Sequence, residues 1–199
     1  GEYDDIGSRR FHAEPVACPD CGPGLVFHQG GRRIDNTRAA LSACVQVLQQ
    51  GGIVAVKGVG GYHLLCDAAD TGAVSRLRER KPRPHKPLAL MVPEDDGLEQ
   101  VHAVVDISEE EARLLCDPQR PVILCRRRRS TATSDAIAPG LNELGVMLPY
   151  SPLHHLLLAA FGAPLVATSA NISGEPVLTE ERQVEERLAS VADAWMHHD

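Results

Sequence analysis

The sequence predicts an α/β fold: a twisted sheet covered by helices, preceded by a short segment of different character. Three observations carry this. From residue 35 onward, stretches with helical periodicity alternate with short apolar runs. Caps and breakers stand where those stretches begin and end. Residues 1–33 are polar, contain Gly and Pro, and hold no sustained period. The expected division is therefore a segment over 1–33 and one α/β domain over 34–199, a size suited to a single domain with an appendage.

Each element has its own justification. Asp35 or Asn36 can cap a first helix, where Ala40, Leu41, Cys44, Val47 and Leu48 share a face; Gly51 and Gly52 stop it. IVAVKG (53–58) and YHLLC (62–66) read as strands joined by a glycine turn. Asp70 or Thr71 opens a short helix carrying Val74 and Leu77, which Pro82 ends, because proline disfavours helical geometry in the residue before it. PLALMV (87–92) is the next strand. Ser108 and Glu111 form a capping box for a helix reaching about Cys116. PVILCR (121–126) is a strand. SPLHHLLLAAFG (151–162) is a helix with proline in its first turn and glycine at its end. PLVATSAN (164–171) is a strand running into a polar turn. Thr179 begins a last helix with Val184, Leu188 and Val191 inward.

Composition narrows the function. Aromatics are only 4% of the chain, so the core is expected to be aliphatic and stacking platforms for nucleic acid few. A net charge of −7 opposes a general nucleic-acid coat, though a local basic patch can still serve a small anion. No apolar run approaches a membrane span, and the N-terminus lacks the apolar part of a signal peptide. Cys44, Cys66, Cys116 and Cys125 each stand singly in apolar segments, as free cysteines do in a reducing, cytoplasmic compartment.

Against that acidic background, LRERKPRPHKPLALM (77–91) gathers Arg78, Arg80, Lys81, Arg83, His85 and Lys86, opposed only by Glu79. Cations at a helix C-terminus are ordinary, which accounts for Arg78 and Arg80. Lys81, Arg83 and Lys86 lie beyond the helix, on a proline-stiffened loop entering a strand. Several cations held together call for an anion, and phosphate oxygens fit the Arg fork and the Lys point charge. TSANISGEP (168–176) places Thr168, Ser169, Asn171 and Ser173 at a strand end, where α/β sheets bind ligands; the same residues also make ordinary turns. KGVGGYHL (57–64) offers glycines for close backbone approach, without P-loop or dinucleotide spacing. Cys18 and Cys21 in CPDC are half a zinc knuckle by spacing; His12 and His28 are the candidates to complete it within the chain. His154 and His155 are expected to cap or pack.

GYHL, then Lys81-x-Arg83 with KPLAL, then TSANxSG before a final helix resembles the YrdC/Sua5 family, whose members bind ATP and make carbamoyl-type adenylates. RRFHAEPVACPDCGP, GGIVAVKGVGGYHLLCDA, RERKPRPHKPLALM, LGVMLPYSPLHHLLL and VATSANISGEP are similar, more narrowly, to the hydrogenase maturation carbamoyltransferases of the HypF family. That resemblance implies a YrdC-like twisted mixed sheet around a positively lined cleft, with 1–33 the remnant of a zinc-finger region whose other cysteines lie upstream and the final HHD part of a linker. It implies that carbamate attacks the α-phosphate of ATP, forming carbamoyl adenylate for [NiFe] hydrogenase maturation. Lys81, Arg83 and Lys86 would hold phosphates; Ser169 and Asn171 would bind phosphate oxygens, with Thr168 supporting the turn. Lys57, Tyr62 and His63 would face the small substrate, with Lys57 offsetting its charge. Lys57, Lys81 and Arg83 are the residues expected to matter for catalysis, and no side-chain nucleophile is expected. ATP and Mg²⁺ are the implied cofactors, with Zn²⁺ at Cys18 and Cys21 once the finger is complete. The implied partners are acylphosphatase-like and Kae1-like domains of the same protein and an acceptor protein with a C-terminal cysteine.

The sequence departs from the Sua5 pattern in places. VKGVGGYHL stands where those enzymes carry P-T-x-T-x-Y-G-L, Met91 where they carry a histidine, and Met147-Leu148-Pro149 where they often carry Arg-x-Pro. These changes oppose a threonine pocket, and hence the main alternative, a threonylcarbamoyl-adenylate synthase for tRNA modification. A related O-carbamoyltransferase is a further alternative, disfavoured by the finger remnant. A non-catalytic RNA-binding module is also possible, and CRRRRS (125–130) is the feature that favours it.

Overall fold

The structure is a computed structural model that describes residues 24–81, 86–171 and 177–198. Cys18, Cys21, His12, Arg83, His85 and Ser173 lie outside the described residues. The strands are β1 (Leu25–Gln29), β2 (Arg32–Ile34), β3 (Val54–Gly58), β4 (Gly61–Asp67), β5 (Ala89–Met91), β6 (Val105–Asp106), β7 (Ile123–Arg127), β8 (Glu143–Met147), β9 (Leu165–Ser169) and β10 (Ala194–His198). The helices are α1 (Thr37–Gln49), α2 (Thr71–Arg80), α3 (Glu99–Val104), α4 (Glu109–Leu115), α5 (Pro152–Phe161) and α6 (Glu181–Arg187). All ten strands join one mixed sheet in the order β2-β1-β10-β3-β4-β9-β5-β8-β7-β6. β10 pairs with β3 and β5 with β8 in parallel; the other neighbours are antiparallel.

Strand alternation divides the core into two layers. Ala55, Tyr62, Leu64, Leu90 and Val166 face one side, packed with Val74 and Leu77 of α2 and Val184 of α6. Val54, Val56, Leu65, Met91 and Ala167 face the other, under Ala40, Cys44 and Leu48 of α1 and Leu153 and Leu157 of α5. Each large side chain buried this way contributes about 1.5–3 kcal/mol. The helices begin where their caps stand. Asn36 accepts from Ala39 N at 3.0 Å, and Ser108 and Glu111 exchange both bonds of a capping box.

Several elements differ from the sequence reading. Residues 25–34 form a hairpin whose Gly30 and Gly31 take φ of +55° and +80°, the left-handed pair that a two-residue turn requires. The hairpin straddles the expected boundary at residue 33 and joins the main sheet. The expected C-terminal linker is instead β10 as far as His198, an inner strand between β1 and β3. Met196 packs into one core layer while His197, at 1% exposure, turns to the other side. β8 and the short α3 also had no counterpart in the periodicity. Cys44, Cys66 and Cys125 are buried, and burial pushes the Cys44 thiol up to about 12 and Cys125 to about 11; Cys116, at the end of α4, is exposed.

α5 carries one buried titratable group. Ser151 caps the helix, and its hydroxyl reaches His154 Nδ1 at 2.8 Å. His154 has 0% exposure and its Nε2 has no hydrogen-bond partner. Burial, then the nearby His63, pushes its pKa down to about 3. The unfolded chain therefore takes up this proton first, near the ordinary histidine value of about 6.5. The native state's advantage is intact above that pH and falls as the pH drops towards 3. Urea denaturation of wild type and His154→Gln, from pH 7.5 down to pH 4.5, should show the wild type's relative stability shrinking below pH 6.5. A constant difference would mean that His154 plays no part in acid unfolding.

Candidate functional site

The candidate site forms where α2, β4 and β9 meet. Asp70 starts α2 by accepting from Ala73 N at 3.0 Å, and the buried face of Ala73, Val74 and Leu77 fixes the helix on the sheet. Lys81 follows directly as its C-cap, and only 6% of it is exposed. Its ammonium donates to the Ser169 carbonyl, at the end of β9, and to Asn171 Oδ1 at 3.1 Å. Ser169 Oγ also donates to Asn171 Oδ1, at 2.8 Å. Two donors on one oxygen assign the amide orientation and put the Asn171 NH₂ on the other side, as a donor.

β4 brings His63 to the same place. In the β4–β9 register His63 stands opposite Ser169. Its Nδ1 lies 2.9 Å from the Tyr150 hydroxyl. Burial holds the Tyr150 pKa up, so the hydroxyl keeps its proton and has one to donate to that nitrogen. Burial and the Lys81 charge hold the His63 pKa down, so the ring is neutral at pH 7; with Tyr150 as the donor to Nδ1, its proton is on Nε2. Gly58 makes the room: a Cβ there would lie 2.3 Å from Tyr150 Oη and 3.2 Å from His154 Cε1. The group offers an ammonium, an amide and a neutral imidazole donor, a set suited to phosphate or carboxylate-like oxygens.

The structure brings some of the expected residues together and separates others. Ala89 pairs with Ala167, so Lys86 and Pro87 enter the sheet at the end of β9 where Ser169 lies; Lys86 is exposed. Thr168 is buried, one residue from the cluster and on the opposite face from Ser169. Lys57, Tyr62 and His63 do not share a surface. Tyr62 and His63 are consecutive in a strand and point to opposite faces. Tyr62 is fully buried, with its hydroxyl 2.6 Å from His197 Nδ1. Lys57, on the Tyr62 face, donates to the His198 carbonyl at 2.8 Å and pairs with Glu181 at 3.4 Å. Met91 and Met147 pair with each other in the core. Met91 stands opposite Leu165, four residues down β9 from Ser169, or about 13 Å. His28, a candidate zinc ligand, is 2.5 Å from Glu185. Tyr150 and His154 were not foreseen as neighbours of the site. They lie 87 and 91 residues from His63, and no local motif links them.

The arginine run is partly committed within the fold. Arg127 pairs with Asp135 at 2.7 Å and donates to the Thr133 carbonyl; Arg128 pairs with Asp106 at 3.1 Å. An open depression of about 1000 Å³ lies beside Arg127, Arg128, Arg129 and Asn142, and none of the Lys81 cluster lines it. Arg127 and Arg128 therefore serve the fold around the depression before any ligand.

Comparison with known proteins bears on the family and the fold. The Sua5/YciO/YrdC family model, described as telomere recombination, matches residues 46–199, and the HypF finger model matches residues 1–28. A carbamoyltransferase HypF of Rhodobacter capsulatus is 48% identical over 100% of this chain and 26% of its own length. A threonylcarbamoyl-AMP synthase of Xanthomonas euvesicatoria pv. vesicatoria is 31% identical over 77% of this chain and 82% of its own. A crystal structure of full-length HypF in a phosphate- and nucleotide-bound form superposes with a TM-score of 0.88 at 41% identity, covering 100% of this chain and 25% of that one. The chain thus spans about a quarter of the length of the HypF proteins it matches. With a family model covering most of its residues and a matching mixed sheet, the chain belongs to the Sua5/YciO/YrdC family, as a YrdC-like domain of the HypF kind.

Proposed function

We propose that this domain binds ATP at the junction of α2, β4 and β9 and converts carbamate to carbamoyl adenylate. The observation that carries the proposal is the convergence of Lys81, Ser169 and Asn171 at one strand end. A carbamate oxygen attacks the α-phosphorus; the bond to the bridging oxygen breaks, and pyrophosphate leaves with the electron pair. Such a reaction needs positioning and charge stabilisation rather than a protein nucleophile. Lys81 and the Asn171 amide hold phosphate oxygens, with Ser169 fixing the amide and Thr168 backing the strand. Arg83 and Lys86, on the segment after α2, take the departing pyrophosphate. His63 donates from Nε2 to the carbamate, held in that tautomer by Tyr150. Mg²⁺ on the phosphates, coordinated mainly by them and by water, would supply further charge neutralisation.

Similarity to full-length HypF proteins supports the wider assignment. In it, an acylphosphatase-like domain supplies carbamate, and a Kae1-like domain passes the carbamoyl group to a C-terminal cysteine of an acceptor protein during hydrogenase maturation. Cys18 and Cys21 bind Zn²⁺ there with upstream cysteines. A cytoplasmic setting fits the free buried thiols, and no helix among the described residues is long and apolar enough to cross a membrane.

The similarity to a threonylcarbamoyl-AMP synthase supports a second reading, with threonine as co-substrate. A zwitterionic amino acid needs an anion for its ammonium, since a buried charge left unpaired is costly. Lys81, Ser169, Asn171, His63 and Tyr150 include no carboxylate, which favours a small anion.

Two measurements check the proposal. By calorimetry, Asn171→Ala and Lys81→Ala should each weaken ATP binding at least tenfold, because a charge-assisted contact contributes about 1.5–3 kcal/mol. Equal affinity in folded variants would move the nucleotide elsewhere. For the substrate, pyrophosphate release is followed with ATP and ammonium carbamate, and separately with ATP, bicarbonate and threonine. Release is expected with carbamate alone and should fall more in His63→Ala than in Lys57→Ala. Threonine-dependent release would establish the second reading instead.

A further inference from the structure

On the sheet face opposite His63, three side chains from separate elements converge: His28 of β1, Glu185 of α6 and His197 of β10. Their candidate ligand atoms all lie within 4.8 Å of one another. His28 Nδ1 is 2.5 Å, and His197 Nε2 2.8 Å, from the same oxygen, Glu185 Oε1. The two imidazoles meet edge to face, with centroids 5.1 Å apart and planes at 76°, so their nitrogens point towards a shared position rather than stacking. One side of the group is closed, with His197 1% exposed; the other is open, with His28 24% and Glu185 35% exposed.

We propose that His28, Glu185 and His197 form a binding site for one divalent transition-metal ion, with water as the fourth ligand. Two imidazoles and a carboxylate suit Zn²⁺ and do not suit Mg²⁺ or Ca²⁺, which take oxygen ligands. With metal–ligand bonds of about 2.0–2.1 Å in a tetrahedron, neighbouring ligand atoms stand about 3.3 Å apart. Each imidazole must therefore retreat from Oε1 by less than about 1 Å. The outer nitrogen of a metal-bound histidine normally has its own partner. His197 meets that condition, with Tyr62 Oη 2.6 Å from Nδ1. On His28, Arg33 Nη1 sits 3.3 Å from Nε2; Arg33 is exposed and bound more closely by Asp35 at 2.6 Å, so it can yield to a proton there. Glu180 and Glu181, on the same helix start, add negative charge to this face.

Without metal, the same atoms form a hydrogen-bonded chain: Tyr62 donates to His197, His197 and His28 donate to Glu185, and Arg33 donates to His28. Metal binding moves each imidazole proton from the inner to the outer nitrogen. The ion would tie β1, the strand that follows the finger segment, to α6 and β10 at the other end of the chain. This site is separate from the proposed nucleotide site and does not depend on it.

The test uses the metal-free chain carrying Cys18→Ser and Cys21→Ser, so that the finger cysteines contribute nothing. Co²⁺ is titrated by its visible absorption, and Zn²⁺ by competition with a chromophoric chelator at pH 7.5. One equivalent should bind, with the intense Co²⁺ spectrum of a four-coordinate site. Glu185→Gln and His28→Ala should each weaken binding at least tenfold, and Zn²⁺ should raise the melting temperature of the parent but not of Glu185→Gln. No binding by the parent would leave a hydrogen-bonded chain only and overturn the site. Binding of equal strength in both variants would place the metal elsewhere and overturn it equally.

Discussion

Antiparallel pairing of β4 with β9, near the middle of a ten-stranded sheet, is the constraint on which the candidate site depends. It sets His63 across from Ser169. A slip of one residue would turn His63 to the α2 face and Tyr62 into its place. Burial prevents the slip. Tyr62, Leu64 and Cys66 fill one core layer and Leu65 the other, so a shifted register would expose one apolar set and bury the wrong one. α2 is held to the same sheet by Val74 and Leu77, so its last residue, Lys81, arrives at the end of β9. The polar group therefore takes its geometry from apolar packing on both sides of it.

Lys81 carries a charge with little access to water. Two of the oxygens around it, on Ser169 and Asn171, are neutral dipoles. Hydrogen bonds donated to such oxygens support a buried ammonium and leave its formal charge in place. An incoming phosphate supplies formal negative charge in surroundings where it is worth more than in water. Burial first, and then the Lys81 charge, hold the His63 pKa down: a second, desolvated cation beside Lys81 is unfavourable, so the imidazole stays neutral and contributes a directed donor.

Most of the fold was legible because its helices carry caps and its inner strands carry apolar runs. Asn36, Asp70, Ser108 and Ser151 each stand at a helix start. The missed strands have physical reasons. β1 and β2 are short and flank a turn, and β10 is short and closes on two histidines, which read as polar although His197 is buried against Tyr62. Within the site, the cations and the Ser-Asn turn were visible as local clusters, because residues 81, 169 and 171 belong to two short stretches. Tyr150 was not, since its contact with His63 depends on how β8 and α5 are joined. Nor could a motif show that Lys57 and Tyr62 face away from His63; only the strand pairing decides that.

β4 thereby serves two polar chains on opposite faces of the sheet. Tyr62 begins one, through His197 and Glu185 to His28. His63 begins the other, joined to Tyr150, with His154 packed beyond it at 4.7 Å between ring centroids and 49° between ring planes. Each chain reaches a segment far away in sequence, and each accounts for a buried group that would otherwise be costly to desolvate. Gly58 and Gly61 pair at the turn end of the β3–β4 hairpin. A Cβ at Gly58 would strike Tyr150 on one side, and one at Gly61 would meet Val177 Cγ1 at 2.6 Å. The glycines of the KGVGG turn thus have two tasks unrelated to nucleotide approach. One admits the tyrosine that orients His63, and the other lets the returning chain, through Val177 and Leu178, seat beside β4.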